Sequence, residues 1–528
     1  MHIVIIGNSV NAVTAAAHMR RHNEKNHITI IDASSGIEVA TCGFNSFLKG
    51  EISQLDELSI ASPKILQDIF HIRLLLNTEI LQIDTNKQIL HLTNNKKISY
   101  DKLLFATSPL HLRPDIKGIL GDNIFTLHSV ASTQLANDYF WGTHAKNIII
   151  LGGSSLGIQT AVSFAKNGAQ VTIIEQKSQL ISYIDQEFAE LVKKTLQNHN
   201  IRIITSTSVT EFSSTFALLS NGSKLNYDMA IITTGSYNDI RLLVTADIKL
   251  GSTGGILVDN KMQTNIKNIY ACGECIELKN SITNQPFRIR NASLSAQTAK
   301  IAADNILGLN TKYPFICNNE IIDIFDSLIG VCGCSEQELK HTDITYHTIW
   351  LNTDIFENYL PNNSKIKTKL IFDNKGIILG AQFFGSLGIF SRLNMMATLI
   401  QQKSNINILS SLYLSYSPHL ARSKDVMNIL GSLAQELLFE KLQIIQPENL
   451  SKHDILLNLG QPLDQQNNYP FKIINMSFLQ LRAQFSSLPK NQLIALYCRN
   501  GYSAYLAYCL LRNHHFDNIF LLNSPWNW

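Results

Sequence analysis

Long apolar runs and blocks of a single charge are both missing from this sequence of 528 residues. It has no stretch of about 18 consecutive apolar residues, so no transmembrane helix is expected. The formal net charge is only +3 and no segment is strongly basic. We therefore expect neither a nucleic-acid partner nor a membrane-surface partner. The apolar N-terminus is interrupted by Asn8, Ser9 and Asn11, which indicates a buried strand and turn rather than a signal peptide.

The eight cysteines are scattered and show no spacing typical of a disulfide framework. Cys272 and Cys275 have CxxC spacing, but no second pair completes a zinc site. We therefore expect a structural role for this pair and no metal site. Cys332 and Cys334 lie in a strand-like run and are expected to be buried. This use of cysteine favours a reducing, cytoplasmic setting.

The apolar pattern divides the chain into several regions, and a hydrophobic content of 45% is enough for sizeable cores. Strands alternate with amphipathic helices over residues 1–110 and again over 118–244, with a Pro- and Gly-rich linker between them. The stretch 254–273 predicts a return of the chain to the first domain. An antiparallel sheet with helices is expected over 313–437, and a small α/β unit after the polar stretch 446–453.

A nucleotide-binding fingerprint follows the first strand. Gly7 provides a tight turn before an Ala-rich helix, and Ser9 and Ala12 occupy positions where further glycines are usual. Such a turn lets backbone N–H groups approach a pyrophosphate at the helix N-terminus. Asp32 ends the next strand, where an acid can bind ribose hydroxyls. The pattern predicts a dinucleotide site, and the alternative is a Rossmann-like turn without a ligand.

A second fingerprint repeats the spacing with Gly152, Ser154 and Gly157. Glu175 ends the following strand and favours the free 2′-hydroxyl of NADH, while the nearby Lys177 leaves NADPH open. The alternative here is a vestigial fold that has lost its nucleotide. Two dinucleotide sites in one chain indicate a relay in which one cofactor passes a hydride to the other.

Two cysteines follow features that can activate a thiol. Cys42 comes after the first site and before an apolar helix start, so a thiolate facing that helix N-terminus would be stabilised as a nucleophile. The alternative is an inert core cysteine. Cys498 ends a strand and opens a loop that is predicted to form an anion-binding nest before a helix.

In this order, these elements resemble the pyridine nucleotide-disulfide oxidoreductases. The similarity is greatest to the single-cysteine branch, and within it to coenzyme A-disulfide reductases with a C-terminal rhodanese-like domain. The resemblance covers nearly the whole chain. Besides both fingerprints and Cys42-Gly43, the motifs that carry it are Tyr100-Asp101-Lys102-Leu103, Ala106-Thr107, Gly254-Gly255, Ile269–Glu274, Gly380-Ala381-Gln382 and Tyr416-Ser417-Pro418.

The resemblance implies an α/β fold with two Rossmann-like nucleotide-binding domains and two further domains. The FAD-binding domain would comprise residues 1–117 and 245–312, and the NAD(P)-binding domain residues 118–244. An α+β dimerisation domain would follow at 313–437, and a rhodanese-like α/β domain at 446–528.

The resemblance further implies FAD and either NADH or NADPH as cofactors, a homodimer, and coenzyme A disulfide or a related small disulfide or persulfide as substrate. It assigns Cys42 as the redox nucleophile that forms a mixed disulfide, and Cys498 as the candidate for sulfur transfer. Tyr416 and Tyr359 are the candidate proton donors to the leaving thiolate. Further cofactor contacts are implied at Ala106, Thr107, Gly235, Gly273 and Glu274.

Two arginines on the helix after the first turn, Arg20 and Arg21, are expected from the resemblance to hold substrate phosphates. The alternative is a solvated helix face.

Numerous positions differ from the pattern of the family, among them Glu38, Thr41, Gln159 and Ser503. They support an alternative function, in which a catalytically impaired flavoprotein acts as a redox-sensing or protein-binding module. Reduction of the flavin by NADH separates this alternative from an active disulfide reductase.

Overall fold

The structure, a computed structural model, describes residues 1–37, 39–313, 315–357, 359–361, 364–439, 442–460, 471–498 and 501–523. The chain forms two compact units. The first comprises residues 1–182 and 192–316, and the second residues 183–191 and 317–528. The four-domain division drawn from the sequence is finer and stays a prediction.

The first unit contains a five-stranded parallel sheet that is apolar on both faces. In spatial order its strands are Ile269–Ala271, Lys102–Phe105, His2–Ile6, His27–Ile31 and Ile72–Leu75. Runs of β-branched side chains favour such buried parallel strands. The strand Ile269–Ala271 pairs with Lys102–Phe105, so the chain returns to this sheet after the second one, as predicted.

A second five-stranded parallel sheet lies in the same unit. Its order is Arg202–Ile204, Gln170–Ile174, Asn147–Leu151, Met229–Ile232 and Ile124–Thr126. Both glycine turns follow the carboxyl ends of central strands, which is where open α/β sheets bind nucleotides. The predicted α/β class with Rossmann-like parallel sheets is therefore confirmed.

Smaller sheets and helices complete the first unit. The minor sheets consist of Ile80–Asp84 with Ile89–Leu92 and Lys97–Ser99; Val209–Phe212 with Phe216–Leu219 and Lys224–Asn226; Ile256–Leu257 with Ile276–Lys279 and Pro286–Arg288; and Leu110–His111 with Ser236–Tyr237. The α-helices are Val10–His22, Phe44–Leu48, Pro63–Asp68, Val130–Thr143, Ser155–Lys166, Arg241–Thr245 and Ala292–Ile306. A further helix, Gln186–Asn198, begins in the second unit and ends in the first. The Pro- and Gly-rich linker predicted between the two strand–helix regions contains a short strand, Leu110–His111.

The second unit contains an antiparallel and a parallel sheet. The antiparallel strands are, in order, Asn318–Ile324, Ser327–Gly333, Ile378–Gly385, Lys365–Asp373 and Tyr346–Asp354. The parallel strands are Ile444–Ile445, Ile519–Leu522, Ile494–Tyr497, Ile455–Asn458 and Lys472–Asn475. The helices of this unit are Glu336–Leu339, Ile389–Gln401, Asn407–Ser411, Val426–Leu438, Phe478–Gln484 and Tyr502–Asn513. Across the described residues, no helix has the length and apolar character needed to cross a membrane.

Candidate active site

The first glycine loop, residues 7–12, is held tightly against a neighbouring strand end. Gly7 has a φ of 111°, and a Cβ there would lie 2.6 Å from the carbonyl oxygen of Ala106. The Ser9 hydroxyl accepts a hydrogen bond from Ala12 N–H, so it caps the helix, and donates one to the Ala106 oxygen at 2.5 Å. The predicted residues Gly7, Ser9, Ala12 and Ala106, with Thr107 next along the chain, therefore lie together.

A third chain segment borders the same loop. A Cβ at Gly273, whose φ is 81°, would lie 2.5 Å from Asn11 Nδ2, and Gly273 N–H donates to Thr298 Oγ1 at 3.0 Å. The nearby Ser295 hydroxyl is buried and has no hydrogen-bond partner among the described residues. We call the space between Gly7, Asn11 and Gly273 the cradle. Its glycines leave no space for a side chain, and the buried Ser295 hydroxyl beside it is unsatisfied within the described part of the chain, which fits a bound dinucleotide.

Acidic groups flank this cradle. Asp32 ends the strand His27–Ile31, and one of its carboxylate oxygens accepts from Ser34 N–H at 2.7 Å. Burial raises the pKa of Glu274, and the charge of Arg288 offsets part of this rise. Glu274 follows Gly273 directly, and its contact with the cofactor stays a prediction.

The second glycine loop, residues 152–157, has the same construction. Gly152 has a φ of 113°, and Ser154 caps the helix Ser155–Lys166 by accepting from Gly157 N–H at 3.4 Å. A Cβ at Gly157 would collide with the carbonyl oxygen of Gly152. Gly235 follows the strand Met229–Ile232, which pairs with Asn147–Leu151. It has a φ of 107° and open space on its Cβ side.

Glu175, the acidic residue predicted for the second nucleotide site, is hydrogen-bonded to the glycine loop of that site. Glu175 accepts hydrogen bonds from Gly153 N–H at 2.6 Å and from Lys177 N–H at 2.8 Å. The Lys177 ammonium group donates to the Ser182 hydroxyl at 2.8 Å. The carboxylate is thus fixed beside the loop, and its preference between NADH and NADPH stays a prediction.

Cys42 lies exposed in a single 3₁₀ turn, Thr41–Gly43. A Cβ at Gly43 would collide with the Leu58 side chain, so a larger residue next to the thiol would require that side chain to move. The helix that follows, Phe44–Leu48, has only five residues. So short a helix aligns few peptide dipoles, and the thiolate stabilisation expected from its N-terminus is small. The family position Glu38 lies outside the described residues.

The two arginines have different environments. Arg20 is buried, and its guanidinium group donates to the carbonyl oxygens of Phe70 at 2.7 Å, Glu24 at 2.7 Å and His71 at 3.1 Å. These bonds make it a structural link between chain segments, which does not favour the predicted contact with substrate phosphates. Arg21 is exposed, and its role stays a prediction.

The two predicted tyrosines lie together in the second unit. The hydroxyl oxygens of Tyr359 and Tyr416 are 3.5 Å apart, and both side chains are exposed. The hydrogen bond with Tyr359 raises the pKa of Tyr416 to about 12.

Cys498 lies at the carboxyl end of the strand Ile494–Tyr497 and is buried. Its sulfur accepts a hydrogen bond from Ala504 N–H at 3.1 Å, in the first turn of the helix Tyr502–Asn513. Arg499 and Asn500, in the predicted nest, lie outside the described residues.

The remaining cysteines are poor nucleophiles. Burial raises the pKa of Cys272 well above its ordinary value and that of Cys275 to about 11, which suits the structural role expected of this pair. Cys332 and Cys334 are buried, as predicted. Within the described residues, no group of three or more His, Cys, Asp or Glu side chains is arranged to hold a metal ion.

Sequence reasoning missed Ser295 and Thr298. Both lie on the helix Ala292–Ile306, which Asn291 caps through bonds to Ser293 N–H and Leu294 N–H. The sequence feature that could have indicated them is an Asn N-cap, Asn291, followed on the same helix by the hydroxyl residues Ser295 and Thr298, three positions apart.

Comparison with known proteins places this site in a family. A family model described as pyridine nucleotide-disulphide oxidoreductase matches residues 1–299. A coenzyme A disulfide reductase of Staphylococcus haemolyticus is 23% identical over 442 residues, which cover 82% of this chain and 99% of that protein. An NAD(P)H coenzyme A polysulfide/persulfide reductase of Pyrococcus horikoshii is 25% identical over 434 residues, which cover 81% of this chain and 97% of that protein. The crystal structure of reduced Bacillus anthracis CoADR-RHD matches with a TM-score of 0.93 and 25% identity, covering 99% of this chain and 96% of that one.

The family match extends over more than half of the chain and includes Cys42 and both glycine loops. The construction of those loops fits the flavin and the nicotinamide nucleotide that this family uses. The chain therefore belongs to the pyridine nucleotide-disulphide oxidoreductase family.

Proposed function

We propose that this protein is a FAD-dependent NAD(P)H:disulfide oxidoreductase that reduces coenzyme A disulfide or a coenzyme A persulfide through a mixed disulfide at Cys42. The observation that carries the proposal is the exposed Cys42 sulfur on a turn in the same compact unit as both glycine loops. The names of the relatives from Staphylococcus haemolyticus and Pyrococcus horikoshii support this class of substrate.

Cys42 supplies the nucleophile. Its thiolate attacks one sulfur of the disulfide R–S–S–R, so a Cys42–S–S–R bond forms and the second sulfur leaves as a thiolate that takes up a proton. When bound at the two glycine loops, FAD and NAD(P)H would supply the two electrons that return the mixed disulfide to the Cys42 thiolate and a second thiol. With a persulfide, the same two electrons yield one thiol and one sulfide.

Tyr416, assisted by Tyr359, supplies the proton to the leaving thiolate. The Tyr416 phenol is protonated at neutral pH, as a proton donor must be, and its raised pKa extends the protonated state to higher pH. We propose a homodimer in which these tyrosines of one protomer serve Cys42 of the other. Exposed apolar side chains near Tyr416 in the sequence, Tyr413 and Leu420, support such an association.

The residues around the loops favour particular cofactors. Gly7, Ser9, Asp32 and Gly273 would hold FAD. The carboxylate of Glu175, fixed at the second loop, favours NADH over NADPH.

The last α/β unit, residues 446–528, is proposed to be rhodanese-like and to bring persulfide sulfur to the enzyme through Cys498. The hydrogen bond from Ala504 N–H to the Cys498 sulfur stabilises a thiolate. Ser503 stands where an arginine is usual in such loops, so position 503 supplies no positive charge to stabilise the Cys498 thiolate.

The cytoplasmic setting also stays part of the proposal. It is supported by the eight cysteines, all within the described part of the chain, none of which forms a disulfide.

The test is to replace Cys42 with serine and Cys317 with serine as the control. Burial raises the pKa of Cys317 to about 11, so this half-buried thiol is a poor nucleophile at neutral pH. Cys42→Ser should abolish disulfide turnover while leaving the flavin bound and reducible by NADH, and Cys317→Ser should keep both. Full turnover in Cys42→Ser would refute the proposal. A wild-type flavin that NADH does not reduce would favour the impaired flavoprotein module.

A further inference from the structure

Little local structure holds the turn that carries Cys42. The helix after it, Phe44–Leu48, has five residues, too few to be stable by helix propensity alone. Its position therefore depends on what it packs against. Phe44, Phe47 and Leu48 are buried, and so is the polar residue Asn45.

Asn45 contacts the helix Ser155–Lys166 through two hydroxyl groups. Thr160 Oγ1 donates to the side-chain oxygen of Asn45 at 3.2 Å. Ser163 Oγ shares its one proton between the backbone oxygen of Asn45 at 3.2 Å and that of Gln159 at 2.8 Å. Asn45, Thr160 and Ser163 are all buried, so water cannot replace these bonds at low cost.

A third bond fixes the other end of the short helix. Asn167, which ends the helix Ser155–Lys166, donates from its side-chain amide to the backbone oxygen of Leu48 at 2.6 Å. The two helices are thus joined by hydrogen bonds at both the start and the end of Phe44–Leu48. Hydrogen bonds fix orientation, which apolar packing alone does not.

The helix Ser155–Lys166 begins at the second glycine loop, where Ser154 caps it. One helix therefore carries the nucleotide loop at its first turn and holds the Cys42 element along its middle and last turns. Any movement of this helix moves both.

We propose that Asn45, Thr160, Ser163 and Asn167, here named the Cys42 clamp, position the Cys42 turn for its reaction with the disulfide. The inference rests on the proposed function, because it assumes that Cys42 is the nucleophile. The clamp residues do not touch the reacting atoms and act through the helix Phe44–Leu48, so they are positioning residues.

Thr160 offers a matched pair of variants. Thr160→Val keeps the shape and removes the hydroxyl, whereas Thr160→Ser keeps the hydroxyl and removes a methyl group. Thr143→Val is the control, because the Thr143 hydroxyl is exposed and donates within its own helix, to the Tyr139 oxygen at 2.7 Å. Each variant is purified with its flavin bound.

Three quantities are then measured: the kcat for coenzyme A disulfide, the rate of anaerobic flavin reduction by NADH, and amide hydrogen exchange over residues 44–51. Thr160→Val should lower kcat roughly tenfold or more, because small displacements of reacting groups are costly. It should also speed exchange over 44–51, while flavin reduction by NADH stays near the wild-type rate. Thr160→Ser and Thr143→Val should resemble wild type in all three quantities.

A Thr160→Val enzyme with wild-type kcat would overturn the inference, and so would a parallel loss of flavin reduction by NADH, because that indicates general structural damage. If Thr160→Val does not fold, Asn167→Ala is measured with the same expected outcomes. Turnover by Cys42→Ser would refute the proposed function itself. An inactive Cys42→Ser beside a fully active Thr160→Val would refute only the clamp.

Discussion

The phenol oxygens of Tyr359 and Tyr416 lie 3.5 Å apart on the exposed surface of the second unit. Their hydrogen bond is the largest cause of the raised Tyr416 pKa, about 12. A phenol in this pair stays protonated well above neutral pH, which suits a proton donor to a leaving thiolate.

Replacing Tyr416 with phenylalanine should lower kcat for disulfide reduction by about 10² to 10⁴, the usual contribution of a general acid. Flavin reduction by NADH should not change, because it requires no proton from this residue. Tyr139→Phe is the control, since Tyr139 lies in the first unit and its hydroxyl donates to the Asp228 oxygen at 3.4 Å. Tyr359→Phe removes the bond that raises the Tyr416 pKa, so the alkaline limb of the kcat profile should move to lower pH. An unchanged pH profile of kcat in Tyr359→Phe would contradict the role of the Tyr359–Tyr416 hydrogen bond.

Replacing Gly7 with alanine should reduce flavin content. The added Cβ would lie 2.6 Å from the Ala106 oxygen, and this backbone cannot move without disturbing the cradle. Gly50→Ala is the matched control, because Gly50 also has a positive φ, 78°, but has open space around the added atom. Flavin absorbance per protein should fall in Gly7→Ala and persist in Gly50→Ala. Equal flavin content in both variants would contradict the placement of the cofactor.

Replacing Glu175 with alanine should raise kcat/KM for NADPH relative to NADH. The carboxylate fixed by Gly153 N–H repels a 2′-phosphate. Once that carboxylate is removed, the charged side chain nearest to position 175 in the sequence is the ammonium group of Lys177, which attracts a phosphate. Steady-state kinetics with both nucleotides measures the ratio. The control is Glu211→Ala, which removes an acid that pairs with Lys117 instead. No change in the ratio would show that Glu175 does not face the ribose.

Replacing Lys369 with methionine should destabilise the second unit by about 3–5 kcal/mol, because buried carboxylates lose their partner. Lys369 is fully buried, 2.6 Å from Asp185 and 3.6 Å from Glu187, and also pairs with Glu336. Denaturant unfolding at neutral pH measures the loss of free energy of unfolding, with the exposed Lys365→Met as control. Equal stability of the two variants would contradict the expectation.

The same lysine gives a pH dependence. Burial alone would lower the pKa of Lys369, but Asp185, Glu187 and Glu336 outweigh it and raise the pKa above the ordinary 10.5. The stabilisation is therefore fully present below pH 10.5 and is lost as the pH rises through the raised pKa. Lys369→Met should lose less stability than wild type over that alkaline range.

The sequence predicts both glycine loops well because their determinants are local. A buried β-branched strand, a glycine and a small N-cap residue lie within a few positions of each other, as at Gly7 and Ser9 or at Gly152 and Ser154. The positive φ at Gly7 and Gly152 explains why glycine stands there.

Determinants that lie far apart in the sequence could not be predicted in this way. For Arg20 the sequence left a contact with substrate phosphates and a solvated helix face as alternatives, but its partners Phe70 and His71 are about fifty residues away in the chain. The bond between Asn45 and Thr160 links positions with no shared pattern. The grouping of segment 183–191 with the second unit rests on such a distant contact, between Asp185 and Lys369.

The central claim is that Cys42 forms the mixed disulfide, and peptide mass spectrometry tests it most directly. The enzyme, with Cys42 first reduced to the thiol and the reductant removed, is mixed with excess coenzyme A disulfide without NADH, quenched with acid and digested. The account predicts one coenzyme A moiety, removable by a reducing agent, on the peptide that contains Cys42. An unmodified Cys42 peptide, or an adduct found only on Cys498 or another cysteine, would contradict the account.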